Sequence, residues 1–241
     1  MTLRREEIEF PGEAKRYPGR YEVVDALLVR GGTRIPVVVK KMPTGLFERP
    51  GRTRSDRAVQ VAQALLERGS PTPEPLGALL VPGESWFVAR RVEGAAQIRE
   101  WFLHRDDPRW PAPRLGIPFE EIVSNLGRLA RRMHDSGVFF RDFSDGNLLV
   151  TRDGTGSRLW LVDLTRARVS GQPVSLWNRL RDLSRPGLNR AEDRKLLLSS
   201  YFDPDPVPRS FEAGLTRFRR RLVFWDDLKR AARPWKREAE E

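Results

Sequence analysis

The stretch Phe139–Val150, FFRDFSDGNLLV, constrains this chain more than any other. Asp142 is followed five residues later by Asn147, and then by a short apolar run, Leu148 to Val150, that reads as a strand. A second carboxylate, Asp163, closes another apolar strand, RLWLVD, thirteen residues beyond that run. Two carboxylates and a carboxamide, each at the edge of a strand, suit the holding of a magnesium ion and the orienting of a hydroxyl. Taken singly these residues say less. Asp145-Gly146 ahead of a strand is ordinary turn chemistry, and Asp163 alone would serve as a plain strand end. The joint spacing carries the chemistry.

At 241 residues the chain is long enough for one large domain or two lobes with real cores. Its 39% hydrophobic and 32% charged residues suit a globular protein with a heavily charged surface. No apolar run approaches the roughly 20 residues needed to cross a bilayer. MTLRREEIEF lacks the apolar centre of a signal peptide. Cysteine is absent, which excludes disulfides and thiolate metal sites. These features together predict a cytoplasmic protein. The net charge of +11 favours anionic partners: a nucleotide, a nucleic acid or an acidic membrane surface. Only six of the 44 basic residues are Lys, so a lone Lys in a hydrophobic strand stands out.

Residues 1 to 20 are polar and broken by Pro11, Gly12, Pro18 and Gly19, which predicts no regular element there. YEVVDALLV (21–29) and IPVVVK (35–40) are β-branched runs joined by a Gly-Gly turn, a hairpin signal. Alternation puts Val38 and Lys40 on one face and Val37 and Val39 on the other. After a Pro/Gly/Arg-rich loop (43–54), SDRAVQVAQALLERG reads as a helix with Ser55 as N-cap and Gly69 just past its end. ALLV and SWFVARRV follow as strands around Pro82-Gly83. QIREWFLHR and PFEEIVSNLGRLARRMHDSG (118–137) then read as helical, as do three segments after Asp163. A strand-rich first third and a mainly helical remainder predict an α+β arrangement of two lobes, divided as residues 1–92 and 93–241.

In VVVKK (37–41), ERGSPTPEPL (67–76), FVARRVEGA (87–95), LARRMHDSGVFFRDFSDGNLLV (129–150), LVDLTRAR (161–168) and RLRDLSR (179–185), the chain resembles the protein-kinase-like superfamily. The resemblance is closest to its lipopolysaccharide kinase branch, the Kdo and core-heptose kinases, and covers roughly residues 20 to 205. It implies a two-lobed kinase-like fold, with an antiparallel sheet and one helix in the N-lobe and a mainly helical C-lobe. It implies that Asp142 orients or deprotonates the acceptor hydroxyl and that Asn147 and Asp163 ligate Mg2+. Lys40 would hold the α/β phosphates of ATP, and Arg90 to Val92 would form the hinge that meets adenine through backbone atoms. Asp182 would steady the catalytic loop from below. His134, on a helix, reads as a structural histidine.

Three departures from the family pattern accompany this resemblance. No GxGxxG precedes Lys40, Phe140 stands where a His is usual, and the helix at 55–68 has no Glu where the Lys partner lies, since Asp56 and Glu67 occupy its two ends. Only eighteen residues separate Asp163 from Asp182, too few for the peptide-binding segment of protein kinases, so the acceptor is expected to be a sugar or lipid-linked hydroxyl. From Arg209 to Arg237 ten Lys/Arg face three Asp/Glu, interleaved with Phe211, Phe218, Phe224, Trp225 and Trp235. Such a segment either lies on an anionic membrane or packs its aromatics on the lobe. An ATP-dependent kinase of a lipopolysaccharide-like sugar hydroxyl is therefore expected. An atypical Ser/Thr kinase and a non-catalytic kinase-like binding module are the alternatives. Nucleic-acid binding is disfavoured, since no recognised motif accompanies the charge. The sequence carries no signal of oligomeric state.

Overall fold

Antiparallel pairing of the β-branched runs builds the first half of the molecule. The structure, a computed structural model, describes residues 3–17, 21–44, 49, 51–105, 107, 114–154 and 156–231. Strands β1 (Ile8–Glu9), β2 (Arg16–Tyr17), β3 (Glu22–Arg30), β4 (Thr33–Pro43), β5 (Pro75–Val81) and β6 (Glu84–Arg90) form one sheet, ordered β1-β3-β4-β6-β5 with β2 also on β3. The β3–β4 hairpin closes through Gly31 and Gly32, at φ +56° and +78°, the positive dihedrals that a two-residue turn needs. The side-chain period of two then sorts β4. Val37 and Val39 are fully buried in a small core with Leu3, Ile8, Ala26, Leu28, Trp86 and Val88, and Lys40 points from the opposite face.

The N-terminal residues supply part of that core and depart from the irregular segment expected of them. Arg5–Glu7 forms a 3-10 turn, and β1 and β2 add to the edge of β3. Two-residue strands carry no readable periodicity, which is why the sequence did not announce them. Helix α1 (Arg54–Glu67) also begins differently from the expectation. Its N-cap is Thr53 rather than Ser55: the Thr53 hydroxyl accepts from the Asp56 N–H at 3.0 Å, and the Asp56 carboxylate accepts from the Thr53 N–H at 2.8 Å. This is a capping box closed by Asp instead of Glu. Ser55 lies one residue inside the helix and is buried.

The second half packs around α3 (Phe119–Asp135). Nine of its residues are buried, on one stripe at helical spacing. That stripe meets α5 (Ala191–Phe202), and at Gly127 the helices come so close that an added Cβ would lie 2.5 Å from the Leu197 carbonyl oxygen. Between them in sequence come β7 (Ala96–Gln97) and α2 (Arg99–Leu103) before α3, then β8 (Val138–Phe139), β9 (Leu148–Asp153), β10 (Gly156–Leu161), β11 (Arg168–Val169) and α4 (Leu176–Leu183). The segment QIREWFLHR, expected as helix, starts in β7, because Ala96 and Gln97 pair with Val150 and Leu149 of β9. Helix α6 (Arg209–Ala231) closes the chain, packed on α4.

Helix α1 and the connector after it are among the links that hold the halves together. Ala62 and Leu65 of α1 are buried in the larger core, with Leu126, Phe140, Leu161 and Leu164 among its members. The connector after α1 is tied to β10: the Leu161 N–H donates to the Pro71 carbonyl, and the Thr72 hydroxyl to the Leu161 carbonyl, both at 2.8 Å.

Candidate functional site

The loop between β8 and β9 is shaped by its own hydrogen bonds. The Ser144 N–H donates to the Asp142 carbonyl at 2.7 Å, the Asn147 N–H to the Ser144 carbonyl at 3.0 Å, and the Asn147 side-chain amide to the Asp142 carbonyl at 2.9 Å. Arg141 sits at φ +68°, a left-handed conformation that costs a non-glycine residue about 1–2 kcal/mol. A buried carboxylate holds it there. Asp182, on α4, accepts the Phe140 N–H at 2.9 Å and the Arg141 N–H at 2.8 Å. His134 Nε2 lies 3.4 Å from the same carboxylate, and His134 Nδ1 lies 3.0 Å from the Tyr201 hydroxyl. Burial holds the His134 imidazole below its ordinary value, and the opposing pull of Asp182 does not overcome it. His134 is thus a neutral strut under the loop. Phe140, where a histidine is usual in kinase-like loops, is buried with its ring edge-to-face on Phe143.

Asp163 follows β10 at φ +59°. The Val162 N–H donates to the Asn147 carbonyl at 3.0 Å, so the ends of β9 and β10 bring Asn147 and Asp163 side by side. Lys40 reaches this point from the sheet, its Nζ 2.6 Å from Asp163 Oδ1, while the Thr165 hydroxyl donates to the same oxygen at 2.7 Å. Partial burial pushes the Asp163 carboxyl up. The Lys40 charge, its hydrogen bond and those from Thr165 outweigh that push, and the net effect is a value below the ordinary carboxylate range. The Asp142 carboxylate faces Arg166, whose guanidinium is 3.5 Å away.

Lys40, Asp163, Asn147 and Asp142 therefore form one connected line between the sheet and the helical half. Mg2+ needs hard oxygen donors and is usually held by one or two carboxylates together with substrate phosphates. The Asp163 carboxylate and the Asn147 side-chain oxygen, which accepts no hydrogen bond among the described residues, fit that requirement. Helix α1 sends no carboxylate to Lys40: Asp56 is spent in the cap and Glu67 is exposed. Arg90 ends β6, an interior strand between β4 and β5, and Val92 follows two residues later. Arg90 pairs with Val37 and bonds to Glu74 through its N–H and its guanidinium, and Val92 lies just past the ladder. Thr165, Arg166 and the Tyr21 ring, 5.0 Å from the Lys40 ammonium, were not singled out from the sequence. Of these only Thr165 left a trace, since Asp-x-Thr is a spacing at which a hydroxyl folds back on a carboxylate.

An antiparallel sheet and one helix seated on a mainly helical half, with these four residues linked where the halves join, is the protein-kinase-like architecture. A solved structure described as WaaP in complex with acyl carrier protein shares it, with a TM-score of 0.59 over 88% of this chain and 87% of that one, at 21% identity. The chain belongs to the lipopolysaccharide kinase (Kdo/WaaP) family, whose model matches residues 25–193. The 3-deoxy-D-manno-octulosonic acid kinase of Xanthomonas campestris pv. campestris (strain B100) is 32% identical over 141 residues, 58% of this chain and 51% of that protein. The protein of the same name from Haemophilus influenzae (strain ATCC 51907) is 24% identical over 120 residues, 47% of this chain and 45% of its own length. The chain thus spans about half the length of the curated relatives it matches.

Proposed function

We propose that this protein is an ATP- and Mg2+-dependent phosphotransferase that phosphorylates a sugar hydroxyl of a lipopolysaccharide-like acceptor. The observation that carries this reading is the 2.6 Å contact of Lys40 with Asp163, next to Asn147 and Asp142. Residues 1–92 would cover the nucleotide and residues 93–241 would hold the catalytic and metal loops. Arg90 and Val92 meet adenine at the end of β6. Lys40 lies opposite Phe87 and three residues along from Arg90, about 10 Å, a separation on the scale of a nucleoside. There Lys40 exchanges Asp163 for the α/β phosphates. Asn147 and Asp163 would hold Mg2+, which supplies charge neutralisation at the phosphate oxygens when bound.

Asp142 receives the proton of the acceptor hydroxyl. The hydroxyl oxygen forms its bond to the γ-phosphorus as that phosphorus loses its bond to the β–γ bridging oxygen, and ADP departs. The eighteen residues between Asp163 and Asp182 are few for a peptide-binding segment, which favours a small or lipid-linked acceptor over a protein. Attachment to the inner face of an anionic membrane belongs to the same proposal. Trp177 is 58% exposed on α4 and meets Phe218 of α6 at 4.3 Å, with Arg217, Arg220 and Arg221 exposed nearby in sequence. Phe211 is buried instead, so the helix also packs on the lobe. Trp235 lies outside the described residues, and the Trp225 side chain is likewise not described.

The test uses γ-labelled ATP and Mg2+ with a bacterial lipid extract and, separately, a generic protein substrate, comparing the wild-type chain with Asp142→Ala. Label is expected in lipid and should fall by at least about a hundredfold in the variant. Label in protein alone would replace the acceptor. Mg2+-dependent nucleotide binding with no label anywhere would make the chain a non-catalytic module.

A further inference from the structure

Four guanidiniums gather around the catalytic loop, and the phosphotransfer roles above use none of them. Arg141 immediately precedes Asp142. Arg166 lies 3.5 Å from the Asp142 carboxylate. Arg168 sits directly across the β8–β11 ladder from Phe139, and the Arg181 guanidinium lies 6.0 Å from the Phe139 ring centre. All four thus border residues 139–142. Among the described residues Asp142 is the only carboxylate in an ion pair with any of them. The Arg141 Nε is buried with no hydrogen-bond partner.

Such a cluster is repulsive when empty. Burial, and after it the charges of Arg168, Arg181 and Arg166, hold the Arg141 guanidinium below its ordinary value. An unpartnered buried N–H carries a further penalty, of the kind that a bound acceptor atom removes. Guanidinium forks match the planar carboxylate and the tetrahedral phosphate through paired hydrogen bonds. Several of the protein's other arginines are matched with acidic side chains or backbone carbonyls, as in Arg105 with Asp193 and Arg219 with Pro186, whereas the Arg141, Arg168 and Arg181 side chains meet no such partner among the described residues.

We propose that Arg141, Arg166, Arg168 and Arg181 form an anion-binding site beside Asp142 that receives a carboxylate or phosphate group carried by the acceptor. The site would set the reacting hydroxyl relative to Asp142 by gripping the acceptor at a second point. It would also select against neutral sugars and ordinary protein hydroxyls. This rests on the phosphotransferase reading of the same cleft. Arg166 then has two uses, shielding Asp142 when the cleft is empty and turning to the acceptor's anion when it is filled.

The test has two readouts on the full-length chain, with a non-hydrolysable ATP analogue and Mg2+ at saturation so that inorganic phosphate cannot report on the nucleotide site. First, inorganic phosphate is expected to raise the melting temperature of the wild type and of Arg57→Gln/Arg158→Gln, a control that removes the same number of charges outside the cluster. It should not raise that of the Arg168→Gln/Arg181→Gln double variant. Second, the acceptor KM in the lipid-extract assay is expected to rise by about tenfold to a hundredfold in the double variant, with nucleotide affinity held within about twofold. Arg168→Lys should recover part of the loss. If the double variant does not fold, Arg168→Gln alone carries both readouts.

Extracts with carboxylates capped as amides, or with phosphates removed by phosphatase, separate the two sources of charge. The treatment that abolishes the difference between wild type and variant identifies the group. An unchanged phosphate response, or an acceptor KM equal to that of the wild type, overturns the proposal. If the wild type labels no acceptor, the phosphotransferase reading fails and the acceptor assignment falls with it. The melting response to phosphate then upholds or removes the anion site by itself.

Discussion

Replacing Asp182 tests how the loop that presents Asp142 is held. The carboxylate is fully buried and accepts two backbone N–H groups, from Phe140 at 2.9 Å and Arg141 at 2.8 Å, with His134 Nε2 at 3.4 Å. A hydrogen bond to a charged group is worth about 1.5–3 kcal/mol, so the two short bonds together amount to about 3–6 kcal/mol. Asp182→Ala removes both and leaves the Phe140 N–H orphaned in the core. Relaxation of Arg141 out of its left-handed conformation returns about 1–2 kcal/mol. The expected net destabilisation is about 3–4 kcal/mol, at the upper end for single substitutions. Asp182→Asn offers one acceptor and turns an amino group toward the other donor, and is expected to cost about 2 kcal/mol. Urea unfolding followed by far-UV circular dichroism gives these values from the shift in midpoint. In conditions where the variants remain folded, label transfer should fall further than nucleotide binding, because the loop and not the sheet has moved. A loss below about 1 kcal/mol for Asp182→Ala would refute the view that this carboxylate sustains the loop against its backbone strain.

Two further outcomes follow from the helical half. Gly127→Ala should destabilise by about 2 kcal/mol, since overpacking against the Leu197 carbonyl costs about 3 kcal/mol and helix propensity returns about 1; an unchanged urea midpoint would contradict the close approach of α3 and α5. His134 is held below its ordinary value by burial, so below about pH 6.5 the unfolded chain binds more protons than the folded one and stability falls with falling pH. The melting temperature should therefore drop between about pH 7 and pH 5, and His134→Gln should flatten that part of the profile.

What the sequence displayed and what it hid divide along physical lines. Asp142, Asn147 and Asp163 were legible because each ends or precedes an apolar run, and a strand edge fixes where such a residue can stand. Lys40 was legible because a charged residue in VVVK violates the composition of its strand. Their coming together where the halves join needed the folded backbone, since the Val162–Asn147 bond and the Lys40–Asp163 contact join distant parts of the chain. The arginine cluster was invisible for the same reason and for another: among 44 basic residues, four arginines draw no notice. The start of α1 was misplaced by two residues because Thr53 and Ser55 both carry a capping hydroxyl, and only the Asp56 reply distinguishes them.

The seating of α1 bears on how a protein like this could be controlled. In a kinase-like fold the helix under the sheet can act as a switch if it swings away and carries the lysine's partner with it. Here the helix brings no partner, and Ala62 and Leu65 are sunk in the core of the other half. Prising them out would cost about 2–4 kcal/mol in lost burial alone. The helix is a rivet and not a lever, with no carboxylate on Lys40 to withdraw and a standing penalty for moving. If the proposed function holds, that leaves occupancy of the site, by nucleotide on one side and acceptor on the other, as the variable that this architecture exposes to control.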